Sequence, residues 1–136
     1  MNDMIRFMDS TRLEGIGIFS GLSKKELGKL AQWTDEVSVS AGQALATEGT
    51  FAHEFFVIEE GSAEVTQDGE QIAELGPGEF FGEIGLLETE RRTASVVATT
   101  PMQLIVMFQR EFKQMERELP GVADRIRSAI RARLDD

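Results

Sequence analysis

The sequence predicts a mainly β domain, a sandwich or barrel of seven or eight short strands, with one helical segment before it and two helices after it. Three observations carry this. Between residues 34 and 109 short apolar or alternating runs stop repeatedly at glycine. Outside that span the apolar residues recur at helical spacing. Asp68-Gly69 joins two of the runs in the manner of a tight hairpin. With 136 residues there is room for one domain, divided into an N-terminal helical segment (1–33), a β region (34–109) and a C-terminal helical segment (110–136).

The first ten residues, with three methionines and mixed charge, read as a loose end or a first helical turn. Ser23 is then an N-cap, Glu26 takes the capping-box position and Leu22 staples to Leu27. A helix is predicted over 24–33, with Leu27, Leu30 and Ala31 on one face and Trp33 as a packing anchor near its end. Strands are predicted over 36–39, 43–46, 54–59, 63–67, 71–75, 93–99 and 102–108, with Gly76-Pro77-Gly78 and Thr100-Pro101 as turns. After Arg110, Phe112, Met115 and Leu119 share a helical face, and Pro120-Gly121 breaks it. A last helix over 122–134 carries Val122, Ile126, Ala129, Ile130 and Leu134 in one stripe. That stripe has two readings: it completes the core or a dimer seam, or it forms a lid across the mouth of the barrel.

A net charge of −10 and a pI near 4.6 argue against nucleic acid and anionic membranes as partners, because the long-range field repels both. The charge is uneven: residues 1–109 hold 7 Lys/Arg against 18 Asp/Glu, and residues 110–136 hold 7 against 6. An anionic ligand on the acidic part must therefore be held by local amides and arginine. Cysteine is absent, which excludes disulfides and thiolate chemistry. Without a signal peptide or an apolar run of spanning length, a soluble cytoplasmic protein is expected. The one histidine, His53, cannot supply the cluster a metal-dependent cupin needs, and no nucleophile–base set stands out; neither an enzyme nor a metal or cofactor is expected. Glu59-Glu60 reads as a strand end. Glycines 76, 78 and 82 miss the dinucleotide fingerprint by one residue, and no long helix follows them.

Residues 78–98 hold the densest set of candidate ligand groups. Glycines at 82 and 85 let backbone approach a bound group, and the amides that open a short helix at Ile84 would point at an anion. Arg92 offers a guanidinium fork suited to phosphate, and Glu83 offers acceptors suited to sugar hydroxyls. Together these groups would read a sugar phosphate. The alternative is a structural Glu83–Arg92 ion pair that closes the loop without a ligand.

Gly82-Glu83-Ile84-Gly85-Leu86-Leu87 followed by Arg92-Thr93-Ala94-Ser95-Val96 resembles the phosphate-binding cassette of cyclic nucleotide-binding domains, and the resemblance extends over residues 15–134. It implies a β-roll, a jelly-roll-like barrel (double-stranded β-helix) flanked by helices, that binds cyclic AMP or cyclic GMP without chemistry. In that frame Glu83 accepts the ribose 2′-hydroxyl and Arg92 pairs with the cyclic phosphate. The amides of Gly85 and Leu86 complete the cradle, with Gly82 permitting the approach. Thr93, beside Ala94, admits cyclic GMP without requiring it. Val65, Ile72 and Leu75 match positions that line base and sugar, and are equally ordinary core residues. Arg91 stands where proline is frequent, which leaves φ free; it is expected to be a solvated side chain. The resemblance implies a regulatory module whose last helix closes over the base and whose output is an effector protein or a neighbouring domain. A transcription regulator of this family would need a winged helix-turn-helix, for which the stretch to Asp136 leaves no room. The second function class is a nucleotide-free interaction scaffold that keeps the fold.

Overall fold

The structure is a computed structural model that describes residues 4–7, 13, 16–51, 53–82 and 91–134. After β1 (Met4–Phe7) come a 3-10 turn (Gly17–Phe19) and α1 (Lys24–Ala31). The β region follows as β2 (Asp35–Val39), β3 (Ala44–Ala46), β4 (Glu54–Glu60), β5 (Ala63–Gln67), β6 (Glu70–Leu75), β7 (Phe80–Phe81), β8 (Ser95–Ala98) and β9 (Met102–Phe108). Two helices close the chain, α2 (Gln109–Glu118) and α3 (Pro120–Leu134). The strands form two antiparallel sheets, a five-stranded one ordered β1-β2-β9-β4-β7 and a four-stranded one ordered β3-β8-β5-β6.

Strand periodicity explains how two cores fit around one sheet. Along β4, Phe55 and Val57 point to a core shared with the helices, whereas Phe56 and Ile58 point to the core between the sheets. β9 does the same, with Ile105 and Met107 toward the helices and Leu104 and Val106 toward the other sheet. Burial on both faces is why these two strands read as continuous apolar runs. Phe56 stacks on Phe81 at 4.6 Å between ring centroids, which fastens the two-residue strand β7 to β4. β7 is too short for a periodic signal, and the sequence pattern placed only a turn there.

The hairpin follows its dipeptide. Asp68 and Gly69 have φ of 53° and 82°, both positive as a two-residue turn of this hand demands. At the N-terminus, Met4–Phe7 is neither a loose end nor a helical turn: it pairs with β2 from Met4↔Ser38 to Phe7↔Asp35. Nothing in four residues of mixed type announces a strand; the open edge of β2 supplies the backbone partners.

The capping box forms as expected. Ser23 Oγ accepts from Glu26 N at 3.1 Å, and Glu26 Oε1 accepts from Ser23 N at 2.9 Å. These bonds, together with the Arg125 guanidinium paired to Glu26, hold the Glu26 carboxyl below the usual carboxylate range. Whatever stability that carboxylate contributes is therefore present above its unfolded-state pKa and is lost as pH falls through the lowered value. Ser23→Ala is expected to lower the unfolding free energy by about 1 kcal/mol, checked by urea denaturation at neutral pH.

The break near Pro120 proves narrow. α2 ends at Glu118, Leu119 alone lies between the helices, and Pro120 opens α3 where its missing N–H costs nothing. Val122, Ala123, Ile126 and Ile130 of α3 are buried against Phe19, Leu27, Leu30, Trp33, Phe112 and Met115. In this arrangement the stripe completes the helical core. The side chain of Leu134 lies outside the described residues.

Candidate ligand site

A cavity of about 230 Å³ opens where β3, β5, β6, β7 and the segment before β8 meet. Its walls are Ala46, Val65, Ile72, Phe81 and Val96, and its polar end holds Gly82, Arg92, Thr93 and Ala94. Of the residues singled out in the sequence, Val65, Ile72, Gly82, Arg92, Thr93 and Ala94 are thus brought to one concavity. Ile72 is 55% exposed, an apolar side chain standing free on one wall. Leu75 is not among the described lining residues; it sits at the other end of β6, opposite Ala63, and packs on the inter-sheet core. Glu83, Ile84, Gly85 and Leu86 lie outside the described residues, as does the Glu83–Arg92 pair.

Arg92 is the one cation among the described residues lining this cavity, and its side chain is only 7% exposed. Its Nη2 donates to the backbone carbonyl of Glu54 at 3.3 Å and lies 3.9 Å from Glu54 Oε1. Gly82, with φ of 80°, passes so close that a Cβ there would stand 2.5 Å from that carbonyl and 3.1 Å from Arg92 Nη1. Glycine at 82 is thus required twice, by backbone sign and by space. The charge needed for an anion is present, buried and held.

The loop leading to Arg92 is bound to the loop before β4. Arg92 N donates to Thr50 O at 2.7 Å, and Gly49 N donates to Arg92 O at 2.9 Å. Arg91, expected to be merely solvated, is exposed but engaged: Nη1 donates to Gly49 O at 2.8 Å and the guanidinium lies 4.4 Å from the centre of the Phe51 ring. Around it, Glu48 N donates to Ser95 Oγ at 2.9 Å, and Glu48 Oε1 accepts from Asp68 N at the hairpin tip. The conformational restriction that proline would supply through φ is supplied here by side-chain contacts. Arg91→Ala is expected to weaken cyclic nucleotide binding by about threefold to tenfold with a small change in melting temperature, read by calorimetric titration.

Glu54 and Phe51 are the site neighbours that sequence reasoning missed. Glu54 reads as the polar first residue of an apolar strand, and only the meeting of β4 with the segment at 91–92 gives it an arginine. Larger grooves lie along α2, about 540 Å³ beside His53, Lys113 and Arg117, and between α1 and α3, about 560 Å³ beside Lys29 and Arg125. Neither is lined by Gly82 or Arg92. Among the described residues no cluster of His, Asp or Glu suits a metal ion, and no helix is long and apolar enough to cross a membrane.

The sequence profile of the cyclic nucleotide-binding domain matches residues 36–118, from β2 through α2. The chain belongs to the cyclic nucleotide-binding domain family. This family is a regulatory binding domain, not a catalytic one. The chain is 31% identical over 130 residues to the cAMP-dependent protein kinase regulatory subunit of Schizosaccharomyces pombe, an alignment that covers 95% of this chain and 31% of that protein. It is 35% identical over 105 residues to a cGMP-dependent protein kinase of Caenorhabditis elegans, covering 73% and 14%. The chain therefore spans a third or less of these relatives. Among solved structures, a cyclic nucleotide-binding domain from Methylobacillus flagellatus shares the fold with a TM-score of 0.83 at 21% identity, covering 98% of this chain and 84% of that one. The catabolite activator protein of Thermus thermophilus superposes with a TM-score of 0.75 at 27% identity over 87% of this chain and 58% of that one. The β-roll with flanking helices is thus the fold of this cyclic nucleotide-binding domain.

Proposed function

We propose that this domain binds cyclic AMP, with cyclic GMP as a second admissible ligand, and acts as a sensor without catalysing a reaction. The observation that carries the proposal is Arg92: a buried guanidinium beside the positive-φ Gly82, at the polar end of a cavity whose other walls are apolar. A cyclic nucleotide has the matching polarity, one anionic phosphate and one flat apolar base. Arg92 takes the phosphate, Val65 and Ile72 face base and sugar, and Thr93 offers a hydroxyl to phosphate or to guanine. By family resemblance Glu83 takes the ribose 2′-hydroxyl and the amides of Gly85 and Leu86 complete the cradle. The protein works in the cytoplasm, and its output is an effector protein or a neighbouring domain. Kinship with kinase regulatory subunits supports that output.

Ligand binding reaches the output through α3. A ligand shifts this helix only by binding one of its arrangements better than another. Since Ile126 and Ile130 are 1% and 0% exposed in the helical core, closure over the base requires them to leave one packed environment for another. Calorimetric titration with cAMP and cGMP tests the binding. Saturation by either supports it, and no heat with both at millimolar concentration leaves the nucleotide-free scaffold reading. Amide exchange in 122–134 is expected to change on adding ligand, and unchanged exchange would count against coupling to α3.

A further inference from the structure

Arg92 faces a second anion besides any ligand. Glu54, the first residue of β4, presents both its backbone carbonyl and its carboxylate to Nη2, at 3.3 and 3.9 Å. We propose that the Glu54 carboxylate sets the affinity of this site by competing with the ligand's phosphate for the Arg92 guanidinium, an inference that rests on the cyclic nucleotide reading above.

The two contacts from Glu54 do different things. The carbonyl is within hydrogen-bond distance and orients the Nη2 arm, and as backbone it survives any substitution at this position. The carboxylate lies beyond hydrogen-bond distance, so its action on the guanidinium is the Coulomb field of a nearby negative charge. The guanidinium itself is almost fully enclosed, whereas the Glu54 side chain is 34% exposed, so water screens the field without removing it. Gly82 packs on the Nη1 side of the same fork. A phosphate arriving at this end of the cavity meets a cation whose charge is already partly balanced. It also enters the field of a like charge, and each anion weakens the hold of the other. Glu54 therefore lowers affinity while leaving the placement of Arg92 to its own carbonyl. In a chain of net charge −10, this carboxylate stands 3.9 Å from the guanidinium at the polar end of the cavity.

The test is calorimetric titration of wild type, Glu54→Gln and Glu54→Ala with cAMP and with cGMP, at fixed salt. Both variants keep the carbonyl and remove the charge, and both are expected to bind about twofold to fivefold tighter than wild type. A residue that merely braced the loop would give the opposite sign, since its removal loosens the site. Wild-type binding that is unchanged or weakened in both variants overturns this inference alone. Absence of binding by the wild type overturns the ligand reading and this inference with it. A melting curve of each unliganded variant separates a folding defect from a binding effect; if Glu54→Ala unfolds early, the near-isosteric Glu54→Gln decides.

Discussion

Arg92→Ala is expected to weaken cyclic nucleotide binding by about thirtyfold to several thousandfold, toward the edge of detection by calorimetry. The estimate follows from removing one partner of an enclosed charge pair, which costs about 2–5 kcal/mol, each 1.4 kcal/mol being tenfold. The acidic body makes the loss heavier, because Arg91 is the nearest cation in sequence and it is committed to Gly49 and Phe51. Arg92→Lys is expected to fall between, keeping the charge and losing the fork that divides its donors between Glu54 and the ligand. Retention of wild-type affinity by Arg92→Ala would refute the assignment of the phosphate to this residue.

Gly82→Ala is expected to damage both fold and site. A Cβ placed 2.5 Å from the Glu54 carbonyl has to move backbone, and it stands 3.1 Å from the guanidinium that the site depends on. The positive φ of 80° adds strain for any side chain. A loss of about 1–3 kcal/mol in stability is expected, seen as a melting temperature several degrees lower, together with loss of ligand binding. Gly69→Ala is the control, because its φ of 82° is equally left-handed but a Cβ there meets nothing within 4 Å. That variant should pay backbone strain alone and keep its affinity. Equal effects of the two substitutions would show that crowding at Gly82 plays no part.

Much of the architecture was legible because it follows from local pattern. Ser23 and Glu26 cap α1 through groups three residues apart, and Asp68-Gly69 turns a hairpin because those residues tolerate positive φ. The helical stripe of α3 and the doubly buried runs of β4 and β9 announce themselves by period and composition. The pairing of glycine at 82 with arginine at 92 was legible in the same way, as residue types suited to an anion at that spacing, and the fold brings both to one cavity.

What local pattern could not supply is partnership between distant segments. β1 exists because β2 has an open edge, β7 because Phe81 finds Phe56, and neither relation leaves a trace within four residues of sequence. Leu75 and Val65 look alike on one hairpin and both pack against the inter-sheet core, yet of the two Val65 also lines the cavity; their places along the sheet decide it. Arg91 looked like a solvent-facing charge until Phe51 and Gly49 were brought beneath it from forty residues away. Composition and spacing thus specified a mainly β domain with a candidate anion site in an acidic chain. Packing decided which residues surround the arginine that would hold the anion, because the electrostatics of a buried guanidinium depend on neighbours within a few ångströms and not on neighbours in sequence.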